Sequence, residues 1–240
     1  MITTILFDFD LTLGRPVGDM SVPERQTYLY QSVGLPYSRE QIAAAMYERR
    51  ARVAAGAMPG VARPQRKRDL LTAYRQTLRL LGYDGDVAAK AEELYHGYAT
   101  LPFLPYDDAR PTLALLATQG YRLGILSNHT PAARPTIEAE FGDLIPPRQI
   151  IISGEERVHK PRPSLFARAA ARLGARPAQC AFVGDNLEVD ARASVAAGFA
   201  LGIWVDREYE TAEHPALPPQ VVHIMSLSEI PAVLTQYTNS

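Results

Sequence analysis

Hydrophobic and polar positions follow two different rhythms along the 240-residue chain. Short apolar runs predict strands at Thr4–Phe9, Arg122–Ser127, Gln149–Ile152, Ala181–Gly184 and Leu201–Val205, with a weaker one at Val221–Ile224. Helices are predicted between them at Arg110–Gln119, Pro131–Phe141, Pro163–Leu173 and Asp190–Ala197, and Pro163 suits a first helical position. Alternation of this kind predicts an α/β fold, a doubly wound parallel sheet of Rossmann-like type covered on both faces.

From Ser21 to about Thr100 the rhythm is helical throughout. Ile42, Met46 and Arg49 share a stripe within Arg39–Val53, and Leu70, Leu71, Tyr74, Leu78 and Leu81 recur at spacings of three and four within Lys67–Leu81. Glu24–Val33 and Val87–Tyr98 complete a predicted four-helix bundle, broken into halves by Pro59, Gly60 and Pro64. The expected organisation is an α/β core from residues 1–13 and 106–240, with a helical domain of residues 14–105 inserted.

Composition narrows the classes. With 47% apolar and 21% charged residues the chain reads as globular, and no run of about 18 apolar residues predicts a membrane span. Met1–Phe7 reads as a buried strand rather than a signal peptide, so a cytoplasmic location is expected. Cys180, the sole cysteine, excludes an internal disulfide and a multi-cysteine metal site. A net charge of −1 without like-charge blocks gives no reason to expect nucleic acid or anionic membrane as a partner. Residues 14–105 hold 13 Lys/Arg against 9 Asp/Glu, either a solvated helical surface or a basic lid that draws in anions.

Ligands of open parallel sheets bind beyond the carboxyl ends of the strands. Asp8-Phe9-Asp10-Leu11-Thr12 follows the first strand, Ser127-Asn128-His129-Thr130 the second, Lys160-Pro161 the third, and Gly184-Asp185 with Asp190 the fourth. Singly, each has a structural explanation as a loop carboxylate, a helix cap, a surface lysine or a helix N-terminal acid. Together they converge on one edge, and isolated buried charges cost several kcal/mol each, so a purely structural origin does not account for all of them at once. His129 and His159 read as loop or rim residues, and Trp204 and Cys180 as core.

These four segments, in this order, resemble the four motifs of the haloacid dehalogenase-like phosphatases: Asp8-x-Asp10-x-Thr12, Ser127, Lys160, and Gly184-Asp185 with Asp190. Residues 14–105 stand where that family inserts its type-1 helical cap. The resemblance implies a phosphatase working through an aspartyl-phosphate on Asp8, with Asp10 as general acid and base. It implies Mg²⁺ held by Asp8, Asp185 and the backbone carbonyl of Asp10, with Thr12 and Asp190 in support. Ser127, Asn128 and Lys160 would bind the phosphoryl oxygens of a small phosphorylated metabolite. Arg15, Arg49, Arg50, Arg52, Arg63 and Arg66 are candidates to meet its leaving group, and hinges are expected near Gly14–Gly18 and Leu104–Asp108.

Three positions depart from the family pattern. Leu11 stands where glycine or aspartate is commoner, Arg157 where glycine is frequent, and Arg162 where an acid is usual. A 2-haloacid dehalogenase, a phosphomutase and a catalytically inactive binding module remain as alternatives. Asp10 is the discriminating residue, because a dehalogenase has no alkoxide to protonate. The sequence leaves the oligomeric state open.

Overall fold

The structure, a computed structural model, describes residues 1–16, 21–62, 64, 67–207 and 216–238. The chain divides into two compact units, Met1–Arg15 with Phe103–Ser240, and Pro16–Pro102. Among the described residues the strands are β1 (Thr4–Phe7), β2 (Gly14–Pro16), β3 (Phe103–Pro105), β4 (Arg122–Ser127), β5 (Ile150–Ile152), β6 (Cys180–Gly184), β7 (Leu201–Val205) and β8 (Val221–Ile224). Six form one sheet in the order β5-β4-β1-β6-β7-β8, with every neighbouring pair parallel. The chain builds outward from β1 first on one side and then on the other, and that reversal creates a crevice at the carboxyl ends of the central strands.

All four residues of β1 are buried, as expected of a central strand covered on both faces. On one face Leu6, Leu126, Ile151 and Phe182 pack with Leu165, Phe166, Ala169 and Ala170 of a helix spanning Pro163–Arg172. Phe166 meets Phe182 edge-on at a centroid distance of 5.2 Å. Each of the leucine, isoleucine and phenylalanine side chains contributes about 1.5–3 kcal/mol by leaving water. This packing fixes the heights of β1, β4 and β6, and hence where their following residues emerge. Predicted as a strand to Phe9, β1 ends at Phe7. The small ribbon of β2 and β3 has no counterpart in the hydrophobic pattern, being three residues on each side.

Among the described residues the second unit has four helices, Val22–Ser32, Arg39–Ala54, Lys67–Leu80 and Val87–Tyr98. Leu29, Ile42, Leu71, Leu78 and Leu94 form its core with Tyr30 and Tyr74. Arg49 corrects the sequence reading. Its guanidinium is buried and donates to the carbonyls of Val61 and Ala62 at 3.1 and 2.8 Å, so it ties down the break between helices instead of facing a ligand. Gln76 donates to the Pro59 carbonyl at 2.6 Å and closes the same loop. Arg52 pairs with Glu48. Arg63, Arg66 and Gly18 lie outside the described residues.

Leu11 and Arg157 occupy the left-handed region, with φ of 62° and 56°. This is backbone that favours glycine, the residue the resemblance leads one to expect at 157 and, with aspartate, at 11. A side chain there costs roughly 1–2 kcal/mol, whereas glycine returns about 0.4–1 kcal/mol through the freedom of the unfolded chain. Arg157→Gly is therefore expected to stabilise the protein by about 0.5–1 kcal/mol. Urea unfolding checks this, and a loss of stability would show that the Arg157 side chain matters more than its backbone.

Candidate active site

The four predicted segments converge at the carboxyl ends of β1, β4 and β6. Asp8 continues the ladder of β1, its N–H donating to the Val183 carbonyl at 2.8 Å. Its carboxylate Oδ1 lies 2.7 Å from Lys160 Nζ, which is also 2.7 Å from Asp190 Oδ1. Lys160 is buried, and its ammonium sits 5.0 Å from the centre of the Phe182 ring. Burial opposes its charge, but Asp190 and Asp8 together hold its pKa above the ordinary lysine value.

Asn128 places that lysine. Its side chain closes a two-way bond with the Lys160 backbone, Nδ2 donating to the carbonyl at 3.0 Å and Oδ1 accepting from the N–H at 2.8 Å. These side-chain bonds leave the backbone N–H groups near Asn128, the phosphate ligands expected from the sequence, uninvolved. Ser127 is the last, buried residue of β4.

The loop after β6 is shaped by close approach. A side chain at Gly184 would meet the Asp190 carboxyl at 2.5 Å, so glycine is required there. Asn186 caps the next turn, its Oδ1 accepting from the N–H groups of Glu188 and Val189. The sequence placed Asp190 at the start of an ordinary helix, but it lies within a π-helical turn, Leu187–Arg192. Such turns recur at functional sites, and this one carries Asp190 back to Lys160 and to the Asn186 N–H, 3.1 Å from its Oδ2.

Asp185 is left without an ion pair among the described residues. Burial, then Asp8 and Asp190, push its carboxyl up to about 8, while burial raises Asp8 to about 6 against the pull of Lys160. Carboxylate oxygens of Asp8, Asp185 and Asp190 all lie within 4.8 Å of one another. An all-oxygen donor set with more buried negative charge than Lys160 neutralises fits a hard divalent cation such as Mg²⁺.

Three residues join the site that the sequence reading missed or misplaced. His129 is not at the rim. It is buried, with Nε2 3.3 Å from Asp10 Oδ2 and Nδ1 accepting from the Thr130 N–H at 2.9 Å. Burial lowers its pKa, but Asp10 outweighs burial and the net shift is upward. Trp204 is only half-buried, and its Nε1 donates to the Asp185 carbonyl at 3.0 Å. Arg207, two residues beyond β7, donates to both Asp108 oxygens at 3.0 and 2.9 Å and to the Thr12 carbonyl at 3.1 Å. Thr12 itself is buried, and its hydroxyl accepts from the Asp185 N–H at 3.0 Å. His129 adjoins a motif and was open to suspicion on that ground. Nothing in the spacing of Trp204 or Arg207 marks them.

The model of the haloacid dehalogenase-like hydrolase family matches residues 2–198. Glyceraldehyde 3-phosphate phosphatase of Methanopyrus kandleri is 33% identical over 123 residues, 50% of this chain and 53% of that protein. (S)-2-haloacid dehalogenase 1 of a Pseudomonas species is 33% identical over 135 residues, 55% of this chain and 57% of that protein. The chain thus spans about half the length of these curated relatives. The orthorhombic crystal structure of YfnB from Bacillus subtilis bound to magnesium superposes with a TM-score of 0.71, covering 97% of this chain and 98% of that one at 19% identity, a likeness of fold. Among the described residues no helix is long and apolar enough to cross a membrane. The family match over residues 2–198, most of the chain, makes this chain a member of the haloacid dehalogenase-like hydrolase family.

Proposed function

We propose that this protein is a Mg²⁺-dependent phosphohydrolase that cleaves a small phosphorylated metabolite through an aspartyl-phosphate on Asp8. The observation that carries the reading is the pair of carboxylates Asp8 and Asp10 with unlike partners: Asp8 faces the Lys160 ammonium at 2.7 Å, and Asp10 faces the His129 imidazole at 3.3 Å. The ammonium favours the charged form of Asp8 as a nucleophile, whereas the Asp10–His129 pair holds a proton between its two members that Asp10 can hand on.

In the first half-reaction an Asp8 oxygen forms a bond to phosphorus as the bond to the leaving oxygen breaks, and Asp10 gives that oxygen its proton. In the second, Asp10 takes a proton from a water whose oxygen displaces Asp8, releasing inorganic phosphate. Lys160, with Ser127, holds the non-bridging oxygens, and the Asn128 side chain keeps Lys160 at the required height. A divalent cation held by Asp8, Asp185 and the Asp10 carbonyl, with Asp190 in support, would supply charge neutralisation for the phosphoryl group.

The test is turnover of a generic aryl phosphate with and without Mg²⁺, followed by a panel of phosphorylated metabolites. Release of chloride from a 2-haloacid in place of phosphate from any ester would install the dehalogenase reading instead.

Metal and pH are linked through the site. Carboxyl groups raised to about 6 and about 8 bind protons more tightly in the folded state than in the unfolded state. Without metal, stability is therefore expected to fall as pH rises from about 4, the unfolded value, through that range. Saturating Mg²⁺ is expected to flatten the slope. Urea titrations between these pH values, in EDTA and in Mg²⁺, check this; identical slopes would count against cation binding at these carboxylates.

A further inference from the structure

Asp185 is gripped at both ends of its own backbone. Its N–H donates to Thr12 Oγ1 at 3.0 Å, and its carbonyl accepts from Trp204 Nε1 at 3.0 Å. The two grips come from different parts of the fold, one from the loop after β1 and one from β7. Residues 184 and 204 also face each other in the β6–β7 register, so the indole reaches the carbonyl of the residue just past the end of β6. An indole has a single polar group, a donor. The Trp204 ring packs beside His223, with centroids 4.8 Å apart.

We propose that Trp204 is a positioning residue for the cation site: by holding the Asp185 carbonyl it fixes the direction in which the Asp185 carboxylate points, and it is the optical reporter of cation binding at that carboxylate. The physical reason is the cost of an unheld ligand. Asp185 is a buried carboxylate without an ion pair among the described residues, and its carboxyl oxygen lies within 4.8 Å of those of Asp8 and Asp190. A loop free to turn would leave that carboxyl without a fixed direction before a cation arrives. Bonds at both ends of the peptide remove that freedom before the cation arrives. Residues that orient metal ligands in this way typically change affinity about 10–100-fold when removed.

This inference rests on the proposed cation site, and the experiment separates the two. Trp204 is the only tryptophan. Its emission therefore reports one position, and replacing tryptophan throughout the protein replaces it at one position. Mg²⁺ is titrated into the full chain by isothermal calorimetry, and into the wild type also by following tryptophan emission. The variants are Trp204→Phe and a protein carrying benzothienylalanine at 204, which keeps the indole's shape and lacks only the N–H. Thermal melting of the metal-free proteins establishes that each is folded.

The expected result is a Mg²⁺-dependent change of emission in the wild type and about a tenfold or greater weakening of Mg²⁺ binding in both variants. Loss of affinity in Trp204→Phe alone would trace to packing beside His223 and would overturn the inference. Wild-type affinity in both variants would overturn it while leaving the cation site standing. A wild type that binds no Mg²⁺ would overturn both together.

Discussion

Asp8→Asn is expected to lower Mg²⁺-dependent turnover of an aryl phosphate by at least about 10⁴-fold, the scale seen when a group at the centre of a covalent mechanism is removed. The substitution is nearly isosteric and takes away the nucleophilic oxygen's charge. Folding should survive it, and the geometry says why. Lys160 keeps Asp190 at 2.7 Å as an ion-pair partner, so no buried cation is stranded. Asp8 carries a carboxyl pushed up to about 6 by burial, so its charge is held against a desolvation cost that asparagine does not have. The outcome to check is a variant with wild-type or higher unfolding midpoint and no turnover. Single-turnover quench with a radiolabelled ester adds the direct test: acid-stable label on the wild-type protein and none on the variant. Undiminished turnover would remove Asp8 from the chemistry.

Lys160→Met is expected to be the most destabilising single change in the site. Lys160 is the only basic side chain among the described residues that pairs with Asp8 and Asp190, and it does so from a fully enclosed position. Methionine matches its length and its contact with Phe182, leaving two buried carboxylates face to face. Breaking a buried ion pair from one side costs about 3–5 kcal/mol, a large share of the roughly 5–15 kcal/mol that holds a domain folded. The sign of the pH effect follows. With the ammonium gone, the Asp8 carboxyl rises further, and a raised carboxyl favours folding where it is protonated. The variant should therefore approach wild-type stability on acidification and diverge from it toward neutral pH. Mg²⁺ should recover part of the loss by supplying the missing positive charge. Urea unfolding at pH 5 and pH 8, with EDTA or Mg²⁺, measures each of these. A uniform loss at both pH values would mean that Lys160 acts through packing alone.

Much of this protein is written locally in its sequence. The strands of the central sheet announce themselves because a doubly covered strand is an unbroken apolar run, as Ile5–Phe7 is, and the helices of the second unit because their apolar residues recur every three or four positions. Asp8, Asp10, Ser127, Lys160, Asp185 and Asp190 were legible as a set because each lies at or beyond the carboxyl end of a predicted strand, and in a parallel sheet these ends share one edge. What the sequence left open is what depends on side-chain direction and on contacts between distant segments. His129 reads as a rim residue until β4 turns it onto Asp10, and Arg49 as a ligand for anions until its guanidinium is found between two carbonyls. Trp204 reads as core because aromatic residues in strands usually are, and only the β6–β7 register brings its N–H to Asp185. Arg207 reaches Thr12 across 195 positions of chain, and Lys160 reaches Asp8 across 152. Hydrophobic periodicity is a property of neighbours along the chain, whereas a hydrogen bond or an ion pair between remote residues exists only once packing has fixed both ends within about 3 Å.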